Sequence, residues 1–590
     1  MEPGPPDHLP ATPVTQAERG SVHLSCDLDV HLALADSREV VHADCVARNV
    51  SAAALTRIPM QLSSTLRWQS IALPLFATST FTQSPVATDE DHTGYAQEAV
   101  LTLARPLPPG QTLTLSMVYS GPIRPASDRL QLLGAPRAKA EAQDWDGIVS
   151  ATDAASTGLR GFGNVLWYPV AAPLAVLGQG KDVVQVRERE VALQAGESAS
   201  LHLAVDYLGD PPVAAIFCGE IRPLTILPDS RDEPVEQSRG LATVDFPNAA
   251  RGASLPSLFL TAQQPILAEG GLLTILSPRS ENATPYLAAA EALRPLLEQW
   301  LGPHPARPVI LLDRPGEPFA EGALLAMPLE PAPEHNLLEK ILLPSLTHAW
   351  AGHDPRSTPN GKWIEEGTAE FLRLLHVEQS QGRAAAIAQL QHQATLIALS
   401  EPAVLEAGMG GEPLIAARSS VYLSLKAASV LWQLREIAGD AALAKTLALY
   451  RRLRLDRAAG TTETTLFERT LEQASGKDLA WFFADWVDHD RGLPDLTIVQ
   501  ANPRPLPSRA DKNSGYLVAV EVHNDGDAVA EVPVTVRSGS LSATERLRVP
   551  PRESASIRVL FEGRPDEVLV NDGSVPEQRT SEHILRLDHP

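Results

Sequence analysis

The spacing of apolar residues changes twice along this chain, and that change limits the possible folds more than any single motif does. From residue 21 to about 230 apolar and polar residues alternate, as in SVHLSCDLDVHLALAD (21–36), EAVLTLARPLPPGQTLTLSMVYSG (98–121) and DVVQVREREVALQAGESASLHLAVDYLG (182–209). A period of two belongs to strands with one face buried, and LPPGQ and QAGES between such runs are turn chemistry. Near 245 the period lengthens to that of helices, and after RGLPDL (491–496) it returns to two.

The 590 residues exceed what one hydrophobic core supports. The periods therefore predict a multidomain α+β protein: a disordered, Pro-rich lead at 1–19, an N-terminal β-sandwich-like domain at 20–240, a mixed and then helical domain at 245–495, and a C-terminal β-sandwich at 496–590. In the middle domain TPYLAAAEALRPLLEQWLG starts at Thr284 as N-cap with Pro285 at the first helical position, carries Leu287, Ala290, Leu293, Leu297 and Leu301 at helical spacing, and stops at Gly302. RPVILLD (307–313) and GALLAMP (322–328) read as short strands. Helices are expected at about 335–351, 362–378, 383–400, 416–437, 440–454, 462–475 and 477–488. The C-terminal runs YLVAVEVHN, VPVTVRSG, ERLRVPP, SIRVLFEG and DEVLVND give five or six strands, a pattern of immunoglobulin-like type.

Forty-nine Lys and Arg against 72 Asp and Glu leave a formal charge of −23. A scattered excess of carboxylates argues against a nucleic-acid partner, which needs cationic surface. No run of about 18 apolar residues predicts a membrane span. As written, the N-terminus has no signal-peptide pattern, which fits a cytoplasmic protein or an exported one whose signal was trimmed. Cys26, Cys45 and Cys218 are too few for a disulfide scaffold. Cys26 and Cys45 can face each other across one hairpin and form a bridge if the protein is exported; two buried free thiols is the preferred reading.

Two short stretches carry the chemistry: LLPSLTHAWAGH (342–353) and KWIEEGTAEF (362–371). A catalytic zinc needs three protein ligands and an open position, and two histidines one helical turn apart beside a glutamate supply two ligands and a base. The stretches resemble the active-site region of the M1 family of zinc aminopeptidases, in which H-E-x-x-H-x-W on one helix is followed by W-x-x-E-G-x-A-x-Y/F on the next. His348 and Trp350 match the second histidine and its tryptophan. Trp363, Glu366, Gly367, Ala369 and Phe371 match the second helix, with the intervening segment one residue shorter. LAWFFADWVDHDRGLPDL (479–496) is similar to the segment that ends the family's catalytic domain, and the order of domains agrees. The resemblance implies a thermolysin-like middle domain, with His348 and Glu366 as the second and third zinc ligands.

The first ligand and the base fall on Pro344 and Ser345, and neither can serve. Proline offers no ligand atom, and serine is no base for a metal-bound water at neutral pH. The family's G-x-M-E-N loop has no acidic counterpart in AEGALLAMP (320–328). Its transition-state tyrosine falls on Ser424 of SVYLSLKAASVLWQL (420–434), while Tyr422, two residues away, points to another side of the helix. His353 is a possible recruited ligand, with Glu365 and Asp354 behind it. His335 and Glu339 have the spacing of a helix-surface ion pair.

These departures predict a catalytically degenerate M1-type scaffold that binds a peptide or protein, with no cofactor expected and zinc only as a remote possibility. The alternatives are an active zinc metallopeptidase with a non-standard ligand set, and a structural or assembly protein acting through its β domains. The oligomeric state is open.

Overall fold

The computed structural model describes residues 13–587 other than 74–79, 133, 150–156, 177–185, 187–188, 191–192, 194–197, 228–238, 251–254, 268–270, 304–307, 317, 332, 352–360, 401–412, 418–419, 454–460, 508–514 and 580–582. The chain divides into two compact units, one formed by 1–288, 307–334 and 353–356, the other by 289–306, 335–352 and 357–590.

In the first unit the period-two segments form strands β1 (Val22–Ala33), β2 (Arg38–Asn49), β3 (Arg67–Ala72), β4 (Thr112–Pro122), β5 (Ser198–Leu208), β6 (Thr225–Leu227) and β7 (Arg239–Ala250) of one sheet, in the order β6-β7-β5-β1-β2-β4-β3. Along β2 buried and exposed residues alternate without a break, so one face joins the core and the other meets solvent. A three-stranded sheet (Leu55–Ser63, Thr80–Ala87, Tyr95–Leu107) and a four-stranded one (Gly158–Leu159, Ala214–Phe217, Glu220–Pro223, Leu258–Thr261) accompany it. Phe162, Trp167, Phe217 and Phe246 lie in the core of this unit. A five-stranded sheet holds Ile266–Leu267, Leu273–Leu276, Val309–Asp313, Phe319–Glu321 and Leu324–Met327, so both short strands expected at 307–328 are present.

Several expectations are corrected. β7 runs to Ala250, past the change of texture near 245, because the long period begins only after that strand leaves the sheet. Of the lead, residues 1–12 lie outside the described residues, but Gln16–Arg19 form a helical turn under a Thr15–Glu18 capping box. Arg19 docks that turn on Glu98 at 2.6 Å. Most of 182–197, expected as strand, lies outside the described residues, and residues 186, 189, 190 and 193 are helical. Cys26 and Cys45 are direct cross-strand partners on β1 and β2 and form a disulfide, correcting the preference for free thiols.

The second unit is built from helices α1 (Ala283–Leu301, whose first turns belong to the first unit), α2 (His335–Ala351), α3 (Lys362–Gln381), α4 (Arg383–Ser400), α5 (Ser420–Ala438), α6 (Asp440–Leu453) and α7 (Glu463–Ser475). α1 starts before Thr284 rather than after it, because a 3-10 turn at Ser280–Asn282 leads straight into it. The expected helix at 477–488 is a short α turn, Ala480–Phe483, continued by a π turn to Asp488. The helical core gathers Trp300, Trp350, Trp363, Phe371, Trp432 and Trp486, each at most 1% exposed. The unit's strands form a three-stranded sheet (Leu496–Pro505, Tyr516–Asn524, Ser554–Phe561) and a four-stranded one (Ala530–Ser538, Leu541–Val549, Glu567–Val570, His583–Arg586). Leu496–Pro505 was missed because its pattern is mostly exposed. Among the described residues no helix is long and apolar enough to cross a membrane.

Candidate metal and peptide site

α2 runs unbroken through Pro344, although a proline removes one helical hydrogen bond and crowds the preceding turn. Leu342, Leu343, Leu346 and Trp350 are buried along it and hold it in place. Trp350 also ties the helix down by donating its indole N–H to the Gly302 carbonyl at 2.9 Å. His348 stands one turn after Pro344 on the same face.

α3 is fixed against α5 at its glycine. A side chain on Gly367 would bring Cβ to 2.5 Å from Ala427 Cβ and 3.0 Å from its carbonyl carbon, so only glycine lets the two helices cross this closely. Trp363 donates to Thr464 Oγ1 at 3.0 Å and packs edge-on to Phe467, while Phe371 packs edge-on to Trp300. These contacts bring Glu366 of α3 to His348 of α2. The distance from His348 Nε2 to Glu366 Oε2 is 3.8 Å, with the side chains 31% and 38% exposed. Among the described residues His348 Nε2 has no hydrogen-bond partner.

Ser345 is buried and Pro344 half-buried on α2. Ser424 is half-buried on α5. Tyr422 is buried and donates its hydroxyl to Asp490 at 2.5 Å, and Asp490 pairs with the fully buried Lys426 at 3.0 Å. Lys426 also donates to the Gly492 carbonyl at 3.0 Å. That triad clamps α5 to the segment after the π turn, so Tyr422 is engaged in structure. His353 and Asp354 lie outside the described residues. Glu339 is buried and pairs across to His376 on α3 at 2.6 Å, so it does not lie on the helix surface; the His335 side chain of the expected pair lies outside the described residues.

One charged cluster escaped the sequence reading. Asp89, Glu90, Asp91 and His92, in a turn of the first unit, are all buried. His92 Nδ1 lies 2.9 Å from Asp144 Oδ2, and Asp146 pairs with Arg160 at 2.6 Å. Ligand atoms of His92, Asp144 and Asp146 fall within 4.8 Å of one another, the one such group found among the described residues. Arg160 already supplies the cation there and stacks on Trp145 at 4.3 Å, so the cluster is closed by its own charges. Burial alone would lower the His92 pKa. The hydrogen bond to Asp144 and the carboxylates of Asp91, Asp144 and Asp146 more than reverse this and raise it to about 9. Polar turn composition hid this cluster, and no spacing rule would have found it.

No model of a known protein family matches the chain, and no curated protein does. Solved structures do. Aminopeptidase A of Legionella pneumophila, in complex with aspartic acid, aligns at a TM-score of 0.56 with 12% identity, covering 96% of this chain and 60% of that one. An M1 zinc metallopeptidase variant of Deinococcus radiodurans bound to a Tyr-Ser-Ala substrate aligns at 0.45, with 18% identity over 77% of this chain and 93% of that one. A two-domain M1 zinc metallopeptidase variant bound to L-tryptophan aligns at 0.45, with 19% identity over 77% and 94%. This chain shares the fold of the Legionella aminopeptidase and spans 60% of its length. The expectation that no cofactor is involved is corrected: two of the similar structures are themselves zinc metallopeptidases. His348 and Glu366 suit that ion in donor type and convergence. Among the described residues no third ligating side chain joins them.

Proposed function

We propose that this chain is an M1-type scaffold that holds zinc through His348 and Glu366 and binds peptide or protein segments without cleaving them. The observation that carries the reading is a pair of donors 3.8 Å apart, His348 on α2 and Glu366 on α3, with Pro344 and Ser345 one turn before His348 on α2. Zinc bound there would polarise a carbonyl oxygen. Neither Pro344 nor Ser345 offers a base to take the proton from an attacking water, and loss of a general base alone costs about 10²–10⁴-fold in rate. Ser424 in place of the tyrosine removes a stabilising donor as well. The proposed organisation is the N-terminal β domain at 20–240, the peptidase-like domain at 245–495 and an immunoglobulin-like sandwich at 496–590.

The convergence of the two donors also favours a second reading, an active peptidase whose third ligand comes from residues 352–360. One experiment separates the two. Zinc content is measured by elemental analysis on the purified chain and on His348→Ala and Glu366→Ala, with aminoacyl-amide turnover and peptide binding followed in parallel. The scaffold reading expects one equivalent of zinc lost in each variant relative to the parent, no turnover in any sample and peptide binding retained. Turnover that disappears with His348→Ala would establish the peptidase instead.

A further inference from the structure

The exposed face of the seven-stranded sheet carries a second set of metal-ligating side chains. On β1 and β2, Asp27, Asp29, His42 and Asp44 are exposed while Leu28, Val30, Val41 and Ala43 are buried, so the four polar residues share the solvent face. Strand register arranges them in rows. Asp29 stands opposite His42 on one side and His202 on the other, and His202 stands opposite Asp245. Four adjacent strands therefore read His42, Asp29, His202, Asp245. In the neighbouring row Asp27 stands opposite both Asp44 and Ser200.

Adjacent strands lie about 4.8 Å apart, so the two histidines flank Asp29 at one strand's distance. The ligand atoms of the three do not all lie within 4.8 Å of one another in this structure, and rotation of these exposed side chains would bring both imidazoles over the carboxylate. His202 is already oriented: its Nδ1 bonds Asp245 Oδ1 at 2.6 Å, which directs Nε2 away from that carboxylate. A carboxylate behind the histidine is the arrangement that fixes tautomer and ring direction in metal sites. Over these rows lies a concavity of about 590 Å³ whose lining includes Asp27, Asp29, His42, Asp44, His202 and Asp245 and no lysine or arginine. Like charges directly opposite on neighbouring strands, as at Asp27 and Asp44, weaken a sheet unless something neutralises them.

We propose that His42, Asp29 and His202 bind a divalent transition-metal ion of the zinc class, with Asp245 as the outer partner of His202. Two imidazoles and one carboxylate select such an ion over magnesium or calcium, which prefer all-oxygen sites, and they leave coordination positions open to solvent. His31 is bonded to Asp206 at 2.8 Å in another row of the same face, and it supplies an internal control.

The test uses the full chain carrying His348→Ala and Glu366→Ala, so that the zinc proposed for the other unit cannot contribute. Isothermal titration with Zn²⁺ should show one bound equivalent in this background. Asp29→Ala, His42→Ala or His202→Ala added to it should abolish that binding, and Asp245→Asn should weaken it roughly 10- to 100-fold. His31→Ala should leave it unchanged. The proposal is overturned if no zinc binds, if His202→Ala binds as its parent does, or if Mg²⁺ binds equally well, since the last result would mean simple screening of acidic surface. Far-UV circular dichroism confirms that each variant is folded.

Discussion

His92 should make the fold lose stability in alkali, and the loss can be sized from its surroundings. The ring is buried between Asp144, at 2.9 Å, and the charges of Asp91, Asp146 and Arg160, with the Arg129–Asp89 pair on the same turn. Its pKa is raised from 6.5 to about 9. A group whose pKa is higher in the fold binds its proton more tightly there, so its contribution is complete below pH 6.5 and disappears as pH rises through 9. At about 1.4 kcal/mol per tenfold change in proton affinity, the full contribution is roughly 3 kcal/mol. Linkage leaves roughly 1.4 kcal/mol of it at pH 8 and almost none at pH 10. The perturbation is His92→Gln, which keeps a donor but cannot be charged. Urea unfolding of parent and variant is compared at pH 6, 8 and 10, and taking the difference at each pH cancels every titrating group the two share. The parent's advantage should shrink by roughly 3 kcal/mol between pH 6 and pH 10. An advantage that stays constant across the range would mean that His92 holds no extra proton in the fold, and the account of the cluster would be wrong.

Three further outcomes are expected. Gly367→Ala should destabilise the chain by about 1–3 kcal/mol in thermal or urea melts, since its Cβ would meet Ala427 at 2.5 Å and part α3 from α5. Asp490→Ala should cost about 3–5 kcal/mol, because it strands the fully buried Lys426, and adding Lys426→Met should recover much of that loss. Alkylation of denatured, unreduced protein should label Cys218 alone if the protein folds in an oxidising compartment. Replacing Cys26 and Cys45, 19 residues apart, by alanine should cost about 3 kcal/mol through the freedom returned to the unfolded chain.

The elements that could be read from the sequence were those in which one physical signal dominates. α2 and α4 match their expected bounds because strong punctuation marks an edge of each, Gly352 after α2 and Gly382 before α4. The strand at Leu496–Pro505 was hidden because an exposed edge has little apolar period to show. The disulfide turned on register: Cys26 and Cys45 pair only if β1 and β2 align residue for residue, which alternation allows but does not specify. The buried turn at residues 88–92 was unreadable for a different reason. TDEDH has the composition of a solvated loop, and partners distant in sequence, Arg129, Asp144 and the backbone N–H groups of Leu166 and Ala175 among them, make its burial tolerable.

The same reasoning bears on the half-preserved motif. Trp350, Trp363, Gly367 and Phe371 each do structural work: an indole donating to a backbone carbonyl, a second donating across helices, a helix crossing that admits no Cβ, a ring against Trp300. Such duties belong to the fold and require no chemistry. Positions 344 and 345 hold a proline and a serine, and α2 stays intact through both. His348 and Glu366 stand apart from these. Both are partly exposed, their side chains come within 3.8 Å of each other, and among the described residues the His348 ring nitrogen facing Glu366 has no hydrogen-bond partner. That approach of two zinc-type donors is why zinc binding is the outcome proposed for this site.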